Sequence, residues 1–288
     1  MPYKNSYTPP APLAVEEYHA DTPVGSYDLN FCYDLPPLLE TKGGVRVEPI
    51  IPSVHGPRLY RLFSAHPSGF LYLPYGPFPT YAAFLTMLEN ARRDPGTLLC
   101  VVYDLALDLG NSDEDLREGQ TLREERIAGI VGVLKGMPVN RSAEIGHLHI
   151  PSPFQRTHVL THSIVLLLRW LLDPPSPSAL GLRRAQWFAN SLNRPSISAA
   201  ERLGFALEAT HLAWERVLPP GKDAVALPAF VEGEWRAAEE QRGGGRHSSL
   251  LAIGWDLWEE TAREKTAALV EREVRRRVAA DVPGLLDV

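Results

Sequence analysis

One short segment, AEIGHLHI at residues 143–150, contains three side chains that can accept a proton. Glu144 supplies a carboxylate, and His147 and His149 supply imidazoles, which are the commonest general bases in enzymes. The apolar residues between them predict a strand, with Glu144 on one face and both histidines on the other. A β-bulge would redirect one of the histidines. We predict Glu144 as a base and His147 or His149 as its alternative; the ordinary interpretations are a salt bridge at a strand edge and histidines satisfied by packing.

A second group of residues lies where a helix should begin, at residues 155–161 (QRTHVLT). Thr157 is the expected N-cap of an apolar helix that ends before Pro174-Pro175. The first N–H groups of a helix have no partner within it, and they suit an anion such as a pyrophosphate. The sequence therefore predicts an anion site here, and the alternative is an ordinary capped helix start.

Hydrophobic periodicity predicts the elements that position these two groups. Predicted strands cover residues 45–51, 98–103, 127–134, 143–150, 182–188, 206–217 and 250–255, and predicted helices cover 57–64, 81–93, 158–172, 195–203 and 256–280. Residues 1–43 form an extended arm, residues 44–255 a single α/β (α+β) domain with a polar linker at 219–247, and residues 256–288 a C-terminal helical segment. The order of elements predicts a mixed, mostly antiparallel sheet flanked by helices.

Composition excludes several classes of function. The net charge of −6 gives no reason to expect a nucleic-acid or acidic-membrane partner. The longest apolar run, at residues 164–172, is interrupted by Arg169 and falls short of the roughly 18 residues of a membrane span. Cys32 and Cys100 match no metal-ligand spacing and are expected to be reduced thiols. We therefore expect a cytoplasmic protein without a metal, and without a nucleic-acid or membrane partner.

Three stretches of the chain occur in a characteristic order: AEIGHLHIPSPFQ (143–155), QRTHVLTHSIVLLLRW (155–170) and RRAQWFANSLNRPSISAAERLGF (183–205). In this order they resemble the GNAT superfamily of acyl-CoA-dependent N-acetyltransferases, and within it the RimJ/RimL-type branch. The resemblance covers roughly residues 44–255. Each motif alone is weak, and the specificity comes from their order and spacing. The fold and reaction expected from the resemblance are a GNAT-like sheet and the transfer of an acyl group, in the first place acetyl, from coenzyme A to an amine.

The resemblance also implies roles for individual residues. It places the pyrophosphate of acetyl-CoA, or of another acyl-CoA, at the helix start: Gln155, Arg156, Thr157, His158, Val159, Leu160 and Thr161. Backbone N–H groups near Leu148, His149 and Ile150 would polarise the thioester carbonyl. Asn193 would bind the pantetheine arm and Ser196 would protonate the departing thiolate. Helix capping is the alternative role for both side chains.

The sequence departs from the superfamily pattern at two places. His158 and Leu160 stand where the phosphate loop has small residues that let the backbone approach a phosphate closely. Arg156 or His158 would partly compensate with positive charge. Ala200 stands where many members have a tyrosine that acts as an acid. These departures motivate a second hypothesis, a GNAT-fold binding protein or biosynthetic tailoring enzyme with altered or lost acetyl transfer.

Four aromatic residues lie in the loop that, by resemblance, walls the acceptor pocket: Tyr72, Tyr75, Phe78 and Tyr81. Such a wall suits a compact apolar or aromatic amine, so we expect a small-molecule acceptor. Local packing of a proline-rich loop is the alternative interpretation. A protein N-terminus is the alternative acceptor, because an acidic protein can attract a cationic partner. Neither the acyl chain length nor the oligomeric state follows from the sequence.

Overall fold

The computed structural model describes residues 3–110 and 122–282 of the chain. The strands are β1 (Leu39–Glu40), β2 (Val45–Pro49), β3 (Leu98–Asp104), β4 (Leu107–Asp108), β5 (Ile127–Met137), β6 (Ser142–His149), β7 (Arg184–Asn190), β8 (Ala206–Leu218), β9 (Gly244–Gly254) and β10 (Arg277–Val278). The helices are α1 (Pro52–Ala65), α2 (Tyr81–Arg93), α3 (His158–Leu172), α4 (Arg194–Arg202), α5 (Gly233–Arg242), α6 (Trp255–Leu257) and α7 (Arg263–Val270), with a π-helical turn at Trp258–Ala262 between the last two.

Within the described residues, one eight-stranded sheet forms the centre of the molecule, in the order β1-β2-β3-β5-β6-β7-β9-β8. Only β6 and β7 pair in parallel, and every other neighbouring pair is antiparallel. Helix α3 connects the two parallel strands, since such a pair needs a long crossover. The predicted mixed, mostly antiparallel sheet with flanking helices in one domain is confirmed.

The elements that carry the candidate site form where local sequence favours them. Strand β3 is buried along its whole length, as its unbroken apolar run predicts. Helix α3 has the predicted bounds, because the Thr157 hydroxyl accepts from the Val159 N–H at its start and Pro174 follows its end. Its apolar side chains, among them Ile164, Leu167 and Leu168, are fully buried against the sheet. Helix α2 also has the bounds predicted from the sequence.

The glycine run before the last strand is not a linker, contrary to the prediction from the sequence. Gly244 and Gly245 begin β9 and pair with Leu218 and Val217 of β8. A Cβ atom at Gly245 would lie 2.2 Å from the Trp214 ring, so the run provides space for packing within the sheet. The short polar helix predicted before it is confirmed as α5.

Both ends of the chain join the domain more closely than expected. The arm contributes β1 to the sheet, and two 3₁₀ turns interrupt its extended course at Val15–Tyr18 and Val24–Ser26. The C-terminal helix ends at Val270, ten residues before the predicted end, and β10 then pairs in parallel with β4. Long-range pairing therefore overrides the helical tendency of this charged segment. Among the helices of residues 3–110 and 122–282, none has the length and apolar character needed to span a membrane.

Candidate functional site

The sheet opens between its two parallel strands. Strands β6 and β7 pair only from Ser142–Arg184 to Glu144–Gln186, and beyond this point neither strand has a partner in the other. On its other side, β6 pairs Gly146 with Gly132 and His149 with Ile130, so one extra residue is present in β6. His147 has a φ of 50°, as expected at a bulge. The divergence and the bulge together create a cleft at the carboxyl ends of the two strands.

A cavity of about 100 Å³ occupies this cleft. Seven residues predicted from the sequence line it: Tyr72, Tyr75, Glu144, His147, Leu148, Asn193 and Ser196. They come from the aromatic loop, from β6 and from the start of α4, three segments far apart in the sequence. The tertiary structure therefore brings the predicted base, the predicted thiolate acid and part of the predicted acceptor wall to one place.

Glu144 is the buried carboxylate of the cavity, with a relative exposure of 4%. Its Oε2 atom lies 2.8 Å from the Lys135 Nζ. Lys135 sits at a second bulge, in β5, with a φ of 48°, and its ammonium also lies 4.2 Å from the centre of the Phe188 ring. The ion pair holds the carboxylate at the cavity wall, where it can accept a proton from a bound amine.

His147 is the second proton acceptor at the cavity. Its ring stacks on Tyr75 with 4.8 Å between ring centres, and its buried Nδ1 has no hydrogen-bond partner in the described part of the chain. Burial, with a further contribution from the positive charge of Arg216, lowers the pKa of His147 to about 4. The imidazole is therefore neutral at pH 7 and can accept a proton, although only weakly.

His149 does not reach the cavity. Because the bulge adds one residue to β6, its ring points to the side of α1, where it lies 4.2 Å from Phe63 and 4.0 Å from Phe70 between ring centres. Both ring nitrogens are buried without a partner among the described residues, and burial lowers the pKa to about 3. The side chain acts as part of the aromatic core and is not placed to serve as a base, contrary to the alternative drawn from the sequence.

The bulge also frees backbone groups. His147 and Leu148 have no register partner in β5 or in β7. An N–H group in such a bulge is left outside the ladder and can be directed at a ligand. The prediction places the polarising groups near Leu148, His149 and Ile150. Leu148 is outside the ladder, but His149 pairs with Ile130, and the second unpaired residue is His147.

Asn193 and Ser196 combine capping with a position on the cavity. The Asn193 Oδ1 accepts from the Ser196 backbone N–H at 3.2 Å, so Asn193 is the N-cap of α4. The Ser196 Oγ accepts from the Trp187 Nε1 at 3.0 Å. Since the hydroxyl accepts in this bond, its own proton remains available for a group in the cavity. Ala200, which stands where many superfamily members have a tyrosine, is fully buried.

The start of α3 offers backbone donors. Thr157 caps the helix, and its hydroxyl occupies the Val159 N–H, while the N–H groups of His158 and Leu160 lie in the first turn without helical partners. Gln155 closes the preceding loop by donating from its Nε2 to the Ile150 carbonyl at 2.9 Å. Such donors are the groups that the sequence-based prediction of an anion site requires, and the site itself stays a prediction.

Several side chains at this helix start point away from such an anion. The His158 Nε2 lies 3.0 Å from the Gly44 carbonyl and 3.2 Å from the Asp104 Oδ1, so this side chain is not directed at the helix start and does not compensate for the absent glycine. Val159 is fully buried, and the Thr161 hydroxyl accepts from Arg202 at 2.9 Å. These residues can contribute backbone N–H groups only, while the Arg156 side chain is exposed.

The C-terminal segment holds the loop before α3. Arg277 donates to the Asp104 Oδ2 at 2.6 Å and to the Pro153 carbonyl at 2.7 Å, and its guanidinium lies 5.3 Å from the Phe154 ring centre. Burial alone would raise the pKa of Asp104, but the hydrogen bonds from His158 and Arg277 outweigh it and hold this pKa below its usual range. Asp104 is therefore the charged anchor that joins β3, the helix start and the C-terminal segment.

The aromatic loop divides into two parts. Tyr72 and Tyr75 line the cavity, as predicted. Phe78 instead packs on Phe70 and Phe84, and Tyr81 begins α2 beside Tyr60. The prediction that these last two wall the cavity is therefore not supported, because they pack within the loop and against α1 and α2.

Lys222, for which the sequence predicted no role, holds this loop in place. The Lys222 Nζ donates to the carbonyls of Phe70 and Tyr75 at 2.8 and 3.0 Å, and also to that of Gly76. The ammonium replaces the water that three loop carbonyls would otherwise bind, so the loop is held over the cavity.

Two arginines at the cavity also escaped prediction, namely Arg216 in β8 and Arg246 in β9. Their positions in the sequence resemble those of ordinary surface charges, and only the strand register reveals that they face each other. In the described ranges, 3–110 and 122–282, no group of three or more histidine, cysteine, aspartate or glutamate side chains is arranged to hold a metal ion.

Comparison with known proteins gives the fold. No family model and no curated protein sequence matches the chain. A GCN5-related N-acetyltransferase from Brucella melitensis superposes with a TM-score of 0.62 and 21% identity over 88% of this chain and 96% of that one. A structure described as a GNAT-family acetyltransferase from Chromobacterium violaceum gives 0.59 and 23%, over 89% of this chain and 100% of that one.

A third structure is that of the microcin C7 self-immunity acetyltransferase MccE in complex with acetyl-CoA and AMP. It gives a TM-score of 0.51 and 16% identity, over 74% of this chain and 93% of that one. At identities this low, the three comparisons establish a shared architecture. The chain has the fold of the GNAT acetyltransferases, which confirms the fold implied by the sequence motifs.

Proposed function

We propose that this protein is an acyl-CoA-dependent N-acyltransferase that transfers an acetyl group to a small-molecule amine. The observation that carries the proposal is the cleft between β6 and β7, where Glu144, the bulge at His147 and Ser196 meet at one cavity. The helix start at Thr157, with its free N–H groups, would take the coenzyme A pyrophosphate. Assignment to the RimJ/RimL-type branch stays a prediction from the motifs at residues 143–155 and 183–205.

In the proposed reaction, the amine nitrogen attacks the thioester carbonyl carbon, and the carbon–sulfur bond breaks. Glu144 takes the proton that the amine loses. The N–H groups of the bulge at His147 and Leu148 stabilise the negative charge on the carbonyl oxygen. Ser196, whose oxygen already accepts from Trp187, supplies a proton to the departing thiolate and regains one from solvent, to which Glu144 releases the proton taken from the amine. The products are an N-acetyl amide and free coenzyme A, and holding amine and thioester side by side contributes much of the rate.

Calorimetry with acetyl-CoA tests the proposal first. We expect a dissociation constant in the micromolar range, as is usual for enzyme substrates. Arg277→Met should weaken binding about tenfold, because the variant loses two charge-assisted hydrogen bonds that position the loop at Pro153. Arg275→Met, an exposed arginine two residues away, is the matched control and should bind like the unaltered protein.

Absence of acetyl-CoA binding at high micromolar concentration would contradict the proposal and favour a GNAT-fold protein with altered or lost acetyl transfer. Equal weakening by Arg277→Met and Arg275→Met would contradict the role of Arg277, leaving the coenzyme site to other residues.

The acceptor side is tested by Tyr75→Ala. Tyr75 lines the cavity and stacks on His147, so its removal should raise the Michaelis constant for the amine about tenfold and leave that for acetyl-CoA unchanged. Tyr81→Ala removes an aromatic ring that lies outside the cavity and should leave both constants unchanged. A screen in which peptides are acetylated while small amines are ignored would replace this acceptor by a protein N-terminus.

A further inference from the structure

Two arginines face each other across the strands at the acceptor side of the cavity. Arg216 of β8 and Arg246 of β9 are direct register partners, and both line the cavity. Like charges placed directly opposite each other in a sheet repel, so such a pair is destabilising unless an anion lies between or beside them. Arg246 is also buried, with a relative exposure of 6%.

The surrounding side chains neutralise only part of this charge. The Arg216 Nε donates to both carboxylate oxygens of Glu215, at 3.1 and 3.2 Å. The Arg246 Nε donates to the Ser248 Oγ at 2.9 Å, and this hydroxyl in turn donates to the Glu215 Oε2 at 2.9 Å. Among the described residues, no carboxylate oxygen lies within ion-pair distance of Arg246.

The remaining charges at the cavity are already paired with each other. Glu144 forms an ion pair with Lys135, and Glu215 forms an ion pair with Arg216. Within the described residues, the guanidinium of Arg246 therefore lines the cavity without a carboxylate in direct contact, and Glu215 reaches it only through the Ser248 hydroxyl. Burial, and next the charge of Arg216, lower the pKa of Arg246, which shows how unfavourable this position is for a cation without a counter-ion.

We propose that Arg246, assisted by Arg216, binds a carboxylate of the acceptor, so that the acceptor is a small amino acid-like molecule with an acid group beside its amine. A guanidinium presents a planar fork that matches the two oxygens of a carboxylate. The inference rests on the proposed function, because it names the acceptor of the same reaction.

The other residues at the cavity indicate the rest of this acceptor. An acceptor held by its carboxylate at Arg246 would place its amine towards Glu144, which lines the same cavity. The rings of Tyr72 and Tyr75 also line this cavity and suit an apolar or aromatic side group. An amino acid with an aromatic side chain has all three groups.

Three matched amines test the inference: L-phenylalanine, L-phenylalaninamide and 2-phenylethylamine. Each has the same ring and a primary amine, but only the first has a carboxylate. With acetyl-CoA saturating and rates expressed per free amine, we expect kcat/KM for phenylalanine to exceed that of the other two at least about tenfold, the effect of one charge-assisted contact. Arg246→Gln should lower the value for phenylalanine about 10- to 100-fold and leave 2-phenylethylamine nearly unchanged.

Control variants separate this effect from a loss of folding. Arg242→Gln makes the same chemical change on α5, where the exposed arginine pairs with Glu239 outside the cavity, and it should change neither rate. Arg216→Gln, at a more exposed position, should lower the value for phenylalanine even if Arg246→Gln folds poorly. Equal rates with all three amines, turnover of none of them, or an equal loss on phenylalanine and 2-phenylethylamine in the arginine variants would overturn the inference.

A binding measurement distinguishes this failure from failure of the proposed function. Phenylalanine should raise the melting temperature of the unaltered protein, more than 2-phenylethylamine does, and it should not raise that of Arg246→Gln. Acetyl-CoA calorimetry on the same samples reports on the transferase proposal alone. If acetyl-CoA binds but phenylalanine gives no Arg246-dependent shift, the carboxylate site is wrong and the transferase proposal stands. If acetyl-CoA does not bind, the transferase proposal is wrong and phenylalanine is not its acceptor, while an Arg246-dependent shift would still show a carboxylate site at the cavity.

Discussion

Replacing Glu144 by glutamine should lower turnover about 10²- to 10⁴-fold while leaving acetyl-CoA binding nearly intact, the range expected for loss of a general base. The substitution keeps the shape of the side chain and removes its ability to accept a proton. Glu144 is the buried carboxylate that lines the cavity, and its ion pair with Lys135 holds it in position there. Steady-state turnover and acetyl-CoA calorimetry, measured on the same preparation, separate the two effects.

Glu208→Gln is the matched control, since Glu208 lies on β8, pairs with Arg184 and does not line the cavity. It should leave turnover unchanged. If Glu144→Gln retained full turnover across the pH range, the proton would have to go to His147 or to bulk water. A base with the pKa of His147, about 4, would keep the rate constant down to about pH 5.

Acid should destabilise the protein well before its carboxylates are protonated. Burial lowers the pKa values of His55, His147 and His162 to about 4 and that of His149 to about 3, while the unfolded chain binds these protons near pH 6.5. Between these values the unfolded state binds more protons than the folded state, so the free energy of unfolding falls as the pH falls. We expect a total loss on the order of 10 kcal/mol between pH 7 and pH 4, about 3 kcal/mol from each of the four histidines. Urea unfolding at a series of pH values measures it.

His149→Phe identifies the largest single source of this dependence. The ring already packs as an aromatic side chain between Phe63 and Phe70, so phenylalanine preserves the contact and removes the titrating group. The slope of unfolding free energy against pH should become shallower between pH 4 and 6.5. His211→Phe, at an exposed position, should leave the slope unchanged. An unaltered slope in His149→Phe would mean that this histidine titrates in the folded protein as it does in the unfolded chain.

Much of the scaffold was predictable because it depends on local preferences. An apolar run with a threonine cap and a following proline pair defines α3, and the same bounds were predicted from the sequence. The position of Glu144 and His147 on one strand, and of Asn193 at a helix start, also follows from neighbouring residues. Their meeting at one cavity was expected only through the resemblance in motif order, and the cleft between β6 and β7 agrees with it.

Long-range contacts decided the rest. The bulge at His147 directs the His149 side chain into the core. The residues next to His147 in the sequence do not indicate the positive φ that it adopts. His158 was expected at a phosphate, but it binds Asp104, which also receives Arg277 from 173 residues further along the chain. The sequence alone determined most of the helices and strands around the cavity and which residues could do chemistry, since helix caps, periodicity and turns act over a few residues. Only the tertiary structure placed Arg216 opposite Arg246. Strand register and packing bring together residues that are distant in the sequence, and no local sequence pattern shows which residues will become neighbours.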